Sequence, residues 1–180
     1  MKPLWLTPAH VDQIVAHAQS DAPREACGLI LGVPDQRAVE VVPIPNAAAD
    51  PLHSYRMDER VLAAALTGAE AWGETLLAIY HSHPEGDPIP SPDDIALAFY
   101  PQTPYLIVGL RGNQPRLSAW CIAQGRVEPV ALHIDDIPPE IAPTPSRAQR
   151  VAILIAAILA LSALILLSLS LLPPAPLIPR

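Results

Sequence analysis

The sequence predicts an α/β fold, one domain with a mixed β-sheet flanked by helices, followed by one C-terminal transmembrane helix. Three observations predict it. Helical and strand patterns alternate through the first half of the chain, strand patterns dominate after residue 104, and residues 151–172 form an uncharged apolar run.

The chain has 180 residues, the size of one ordinary domain with room for an attachment. Hydrophobic residues make up 51% and aromatics only 4%, so the apolar content is nearly all aliphatic. Prolines number 23, roughly 13% against about 5% in average proteins. No long polar tract accompanies them, which excludes wholesale disorder. All 18 acidic residues precede residue 151 and face ten cations there, a net charge of −8 for residues 1–150. That balance argues against nucleic acid as an electrostatic partner. Two cysteines, Cys27 and Cys121, are too few for a disulfide framework. Their aliphatic flanks predict buried free thiols on strands, which suits a reducing compartment. The N-terminal MKPLWLTPAHVDQ carries one lysine and no apolar core, so no secretory signal is expected.

Thr7-Pro8 reads as an N-cap followed by a first-turn proline. Val11, Ile14, Val15 and Ala18 then recur at helical spacing, predicting a helix over 8–20. Residues 26–33 and 38–44 read as strands joined at the Pro34-Asp35 turn. Asp58 caps a second helix whose Val61, Leu62, Ala65, Leu66 and Ala69 share one face, and which stops at Gly73. Residues 75–81 (TLLAIYH) form a buried strand, and Ser91-Pro92 opens a short helix over 92–99. Strands near 104–110, 116–123 and 126–134 complete the domain at residue 136. Four prolines between Ile137 and Gln149 read as a semi-rigid stalk, so the expected layout is domain 1–136, stalk 137–150, span 151–172 and tail 173–180.

The 22-residue run VAILIAAILALSALILLSLSLL has Ser162, Ser168 and Ser170 as its only polar side chains. As a helix it spans roughly 33 Å, against a hydrocarbon core about 30 Å thick. Its fourteen Leu, Ile and Val residues each favour insertion by roughly 0.3–0.6 kcal/mol, and the serines can bond to their own helix backbone. The run reads as an anchor in the lipid bilayer. Arg147 and Arg150 precede it and only Arg180 follows, which places residues 1–150 in the cytoplasm by the positive-inside rule. Ala152, Ala156 and Ala160 form a small-residue stripe that either pairs helices in a homodimer or simply faces lipid.

The stretch with most chemistry is HSHPEGDPIPSPDD, residues 81–94. His81 and His83 lie two apart at the end of a strand, so their imidazoles point to one side. A proline-bearing loop reverses the chain to the Ser91 cap, which puts Asp93 and Asp94 in a first helical turn. Two imidazoles and a carboxylate are the ligand types of catalytic zinc, which lowers the pKa of its water to roughly 7. From spacing alone, the metal reading and an ordinary pair of histidines stand about level. His10, His17, His53 and His133 each stand apart from such a pattern and read as structural or surface residues.

The pattern His-x-His-Pro, six residues, then Ser-x-x-Asp resembles the JAMM motif of the MPN/JAB metallopeptidases. Upstream, Glu25-Ala26-Cys27-Gly28-Leu29-Ile30-Leu31-Gly32 is similar to that family's glutamate-bearing strand, and 55 residues separate Glu25 from His81. The resemblance covers residues 5–134 and implies a single MPN/JAB-type domain of the cytidine deaminase-like fold. It further implies that His81, His83 and Asp94 bind one Zn2+ per chain and that Glu25 is the general base. Ser91 is then the oxyanion donor, a role compatible with its N-cap position. The motif spacing selects Asp94 as the ligand and leaves Asp93 to favour the helix dipole. Cys27 lies two residues from Glu25, where packing is the expected role.

By the same resemblance the chain is a minimal prokaryotic enzyme, with about ten residues between Asp94 and the next strand. The implied substrate is an amide bond at the Gly-Gly tail of a ubiquitin-like or sulfur-carrier protein. The loop is also similar to the RadC branch linked to DNA repair, against which the Glu-x-Cys-Gly strand and the acidic charge argue. A membrane-tethered peptidase of unrelated peptides and a non-catalytic MPN scaffold are the other readings. The complete ligand set argues against a scaffold.

Overall fold

The computed structural model describes residues 3–33, 38–135 and 146–170, which fall into two separate units. The first carries β1 (Leu4–Leu6), α1 (Pro8–Asp21), β2 (Cys27–Gly32), β3 (Ala38–Ile44), α2 (Glu59–Ala71), β4 (Thr75–His83), α3 (Pro92–Ala96), β5 (Tyr105–Gly109), β6 (Arg116–Ala123), β7 (Arg126–Val130) and β8 (Leu132–Ile134). Six strands form one sheet in the order β3-β2-β4-β5-β6-β7, parallel only between β4 and β5. The expected α/β fold with a mixed sheet flanked by helices is therefore present.

Strand alternation divides the core. Ile30, Tyr80, Leu106 and Val108 face α1, where Ile14 and Ala18 are buried against them. Cys27, Leu29, Leu31 and Ile79 face α2, with Leu62, Ala65, Leu66 and Ala69 packed on the same side. Each helix lays its apolar stripe on one face, so the sheet is buried on both. The caps follow the sequence. Thr7 Oγ1 accepts the His10 N–H at 3.2 Å, and Asp58 Oδ1 accepts those of Arg60 and Val61 at 3.0 Å each.

Several elements depart from expectation. β4 continues two residues beyond His81, so both histidines lie inside the strand. The expected strand 126–134 breaks at Ala131, because β8 leaves the main sheet to pair in parallel with β1. β1 itself had no expected strand, since three residues are too few for periodicity to register. Pro129 is tolerated because β7 is an edge strand. α3 stops at Ala96, short of residue 99. Cys27 is fully buried, whereas Cys121 is only partly so, and both are free thiols. The Pro34-Asp35 turn and most of the 137–150 stalk lie outside the described residues.

The second unit is α4 (Arg147–Ser170), which starts four residues ahead of the apolar run. A capping pair opens it: Ser146 Oγ accepts the Gln149 N–H at 3.2 Å and Gln149 Oε1 accepts the Ser146 N–H at 2.8 Å. Ser162 donates to the Ile158 carbonyl at 2.9 Å, satisfying itself within the helix. The described side chains of the run are exposed, and the helix is long and apolar enough to cross a membrane.

Gly28 explains one motif position on packing grounds. A Cβ there would meet the Tyr80 ring and the Val42 carbonyl oxygen, each at 2.5 Å. Tyr80 is fixed in turn by its hydroxyl, 2.8 Å from His17 Nδ1. Gly28→Ala should destabilise the chain by about 2 kcal/mol, as overpacked cores do. Urea denaturation of the detergent-solubilised chain checks this, and an unchanged midpoint would contradict it.

Candidate metal centre

β2 and β4 run antiparallel with Cys27 opposite His81. The pairing continues past the end of β2. Ser82 donates its N–H to the Ala26 carbonyl at 2.9 Å, and the Ala26 N–H donates to Ser82 Oγ at 2.9 Å. The next pair in that register is Glu25 with His83. Because side chains alternate, Glu25, His81 and His83 share the α2 face of the sheet, while Tyr80 and Ser82 turn away. Segments far apart in sequence are thus brought together by one strand pairing.

After His83 the chain is tied back to the sheet. His83 O accepts from Gly86 at 3.2 Å and from Leu110 at 3.1 Å. Trp120 Nε1 donates to Pro88 O at 2.8 Å, and Arg116 pairs with the Asp87 carboxylate. Gly109 permits this approach, since a Cβ there would sit 2.7 Å from Pro88 atoms. The loop then delivers Ser91 as the N-cap of α3. Ser91 Oγ accepts the Asp94 N–H at 3.1 Å, and Asp94 Oδ2 accepts the Ser91 N–H at 2.7 Å. Asp93 is exposed, and Asp94 is the carboxylate that reaches both histidines.

The donor atoms converge. His81 Nε2 lies 3.1 Å from His83 Nε2 and 3.1 Å from Asp94 Oδ1, and His83 Nε2 lies 3.2 Å from Asp94 Oδ2. Ligand atoms of these three residues all fall within 4.8 Å of one another. His83 Nδ1 donates to the Asp87 carbonyl at 3.0 Å, which leaves the Nε2 lone pair facing the cluster. His81 is fully buried, and its Nδ1 has no hydrogen-bond partner among the described residues. Two imidazole nitrogens and a carboxylate aimed at one point, with one tautomer fixed from behind, fit a divalent metal of the zinc class.

The electrostatics agree with that arrangement. Burial works to raise Asp94, but hydrogen bonds with His81 and His83 outweigh it and hold the carboxyl far below its ordinary range. Burial lowers His81. Burial also acts to lower His83, yet Asp94 and the Asp87 carbonyl raise it overall. Glu25 is 7% exposed, and burial pushes it up to about 7 despite the pull of His83.

Beside Asp94 opens a pocket of about 500 Å³ lined by His53, Tyr55, Met57, Leu62, Tyr105 and neighbouring residues. Tyr55 stacks on His81 with centroids 4.4 Å apart and planes 20° apart. The other histidines have local partners: His10 caps α1, His17 meets Tyr80, His53 Nδ1 meets Asp50 Oδ2 at 3.0 Å and His133 stacks on Trp5. Tyr55 and His53 flank the site without any signal in the motif. They lie in the 45–58 loop, and only the fold brings that loop to β4.

Similarity to known proteins follows the same residues. Residues 7–123 match the family described as prokaryotic homologs of the JAB domain. The chain is 42% identical over 110 residues to a probable TtuB-protein conjugate cleaving protease of Thermus thermophilus, covering 61% of this chain and 72% of that protein. It is 39% identical over 107 residues to a desampylase of Haloferax volcanii, covering 57% of this chain and 77% of that protein. The solution structure of protein DSY2949 from Desulfitobacterium hafniense superposes with a TM-score of 0.68 at 30% identity, covering 76% of this chain and 95% of that one. With its motif strand, its donor cluster and most of its folded unit inside the matched region, the chain belongs to the prokaryotic JAB-domain family.

Proposed function

We propose that this chain is a membrane-anchored zinc metallopeptidase that hydrolyses an amide bond at the Gly-Gly tail of a ubiquitin-like or sulfur-carrier protein. The observation that carries the reading is the convergence of His81, His83 and Asp94 beside a buried Glu25. The relative named for cleaving TtuB-protein conjugates supports a protein conjugate as substrate. The tail is suited chemically, because two glycines let a backbone approach a recessed centre closely.

His81, His83 and Asp94 would hold one zinc ion per chain. Zinc so held supplies Lewis acidity, polarising a carbonyl and bringing the pKa of water to roughly 7. Glu25 accepts the proton of the attacking water and returns it to the leaving amine. Ser91 Oγ already accepts the Asp94 N–H, so its own hydrogen is free for the substrate oxygen as that atom gains charge. The Asp87 carbonyl keeps the proton of His83 on Nδ1.

The domain occupies residues 1–136 and the stalk 137–150, the last four residues of which open α4. Residues 151–172 cross the bilayer and 173–180 form the tail beyond it, with the catalytic domain in the cytoplasm. The exposed apolar surface of α4 supports the anchor, since such a helix is unfavourable in water.

The purified full chain should contain about one zinc per chain by elemental analysis, and Asp94→Ala should lose it. A zinc-free chain after reconstitution would contradict the proposal. Glu25→Gln should keep the zinc yet lower kcat on a Gly-Gly-tailed conjugate by about 10²–10⁴-fold. Wild-type turnover by the variant would remove Glu25 from the mechanism.

The metal-free chain should show a pH signature from the same residue. Glu25 loses its proton near 4.5 when unfolded and near 7 when folded, so the folded state holds more protons between those values. Stability from this group is therefore lost as pH rises through that window. Glu25→Gln, which never ionises, should melt with the wild type at pH 4.5 and above it at pH 8. An equal gap at both pH values would contradict this.

A further inference from the structure

Both backbone polar groups of Glu25 are held outside the sheet. Its N–H donates to the Pro51 carbonyl at 2.8 Å, and its carbonyl accepts from Asn46 Nδ2 at 2.9 Å. The partner on each side belongs to the loop between β3 and α2. β2 begins only at Cys27, so no strand ladder fixes the backbone of Glu25 at these two groups.

Asn46 is the hub of that loop. Nδ2 donates also to the Ser54 carbonyl at 3.0 Å, while Oδ1 accepts the N–H of Ala48 at 2.9 Å and of Arg56 at 3.1 Å. One amide thereby makes four hydrogen bonds, the whole working capacity of its two donors and two lone pairs. A further bridge pairs Asn46 with Met57, and Ala47 N–H donates to Arg56 O at 2.7 Å. The segment pinned in this way, 54–57, carries the Tyr55 that stacks on His81. Asn46 itself touches neither histidine nor Asp94 in any described hydrogen bond.

We infer that Asn46 is a positioning residue, which through the Glu25 carbonyl sets where the general base stands relative to the metal ligands. The inference rests on the reaction proposed above. Its chemistry is separable from metal binding, because the ligands come from β4 and α3 while Asn46 fastens the loop and Glu25. A base displaced by a fraction of an ångström loses rate in the transition state without losing the ground-state complex.

The test uses the zinc-loaded full chain in detergent with Asn46→Ala and Asn46→Asp. The aspartate keeps an acceptor for Ala48 and Arg56 but sets a carboxylate oxygen against the Glu25 and Ser54 carbonyls, so it holds one half of the turn while breaking the contact to Glu25, a second variant should the alanine one fail to fold. Against a carrier protein joined through Gly-Gly to a lysine, kcat should fall about 10- to 100-fold, with KM and zinc affinity within about twofold of wild type. In a Glu25→Gln background the same substitution should add nothing, since the two residues act as one unit. A parallel loss of zinc affinity, or a full additive loss in the Glu25→Gln background, would overturn the inference. If the wild-type chain cleaves no such conjugate, the functional reading fails, and amide exchange decides the positioning. Asn46→Asp should then speed exchange at Glu25 at least about tenfold while the His81 amide is unchanged, and equal protection at Glu25 would overturn the inference.

Discussion

The site depends on one antiparallel pairing, that of β2 with β4. With Cys27 opposite His81, the ladder carries on through Ala26 and Ser82 and leads Glu25 to the level of His83. A slip of one residue would turn the β2 side chains to the other face and leave Glu25 on the side of α1. The register is held by packing at both faces. Gly28 admits the Tyr80 ring on one side, and Leu29 and Leu31 fill the α2 side of the core. The glycine in the motif strand is therefore a packing requirement that also fixes where Glu25 stands relative to His83.

The second constraint is charge. Asp94, His81 and His83 crowd within hydrogen-bonding distance in a largely buried setting, and Glu25 stands near them with its carboxyl raised by burial. Such a cluster is costly unless its members are paired or share a cation. The two Nε2 atoms and the Asp94 carboxylate face one another at 3.1–3.2 Å, so a metal held there would compete with protons for the same atoms. The same burial that makes the cluster costly raises the Glu25 carboxyl above its ordinary range.

Much of this is legible in the sequence because the chemistry is local. The strand that ends in His81 and His83, the Ser91-Pro92 cap and the step to Asp94 all lie within one short stretch, and local rules place them. Glu25 needs a second segment, and the motif resemblance supplied it where periodicity had nothing to say. The 45–58 loop is where reading from sequence stops. Asn46 bonds to Glu25 just ahead of β2 and Tyr55 stacks on His81 of β4, and a loop rich in alanine and proline carries no periodic signal. β1 and β8 are missed for a related reason: three-residue strands that pair across nearly the whole domain are defined by their partners.

The proposed chemistry rests on the coordination of one ion, and zinc K-edge X-ray absorption of the zinc-loaded full chain reads that coordination directly. It predicts a shell of nitrogen and oxygen only, at about 2.0–2.2 Å, with the outer scattering of two imidazoles. A sulfur scatterer at about 2.3 Å, or fewer than two imidazoles, would contradict it.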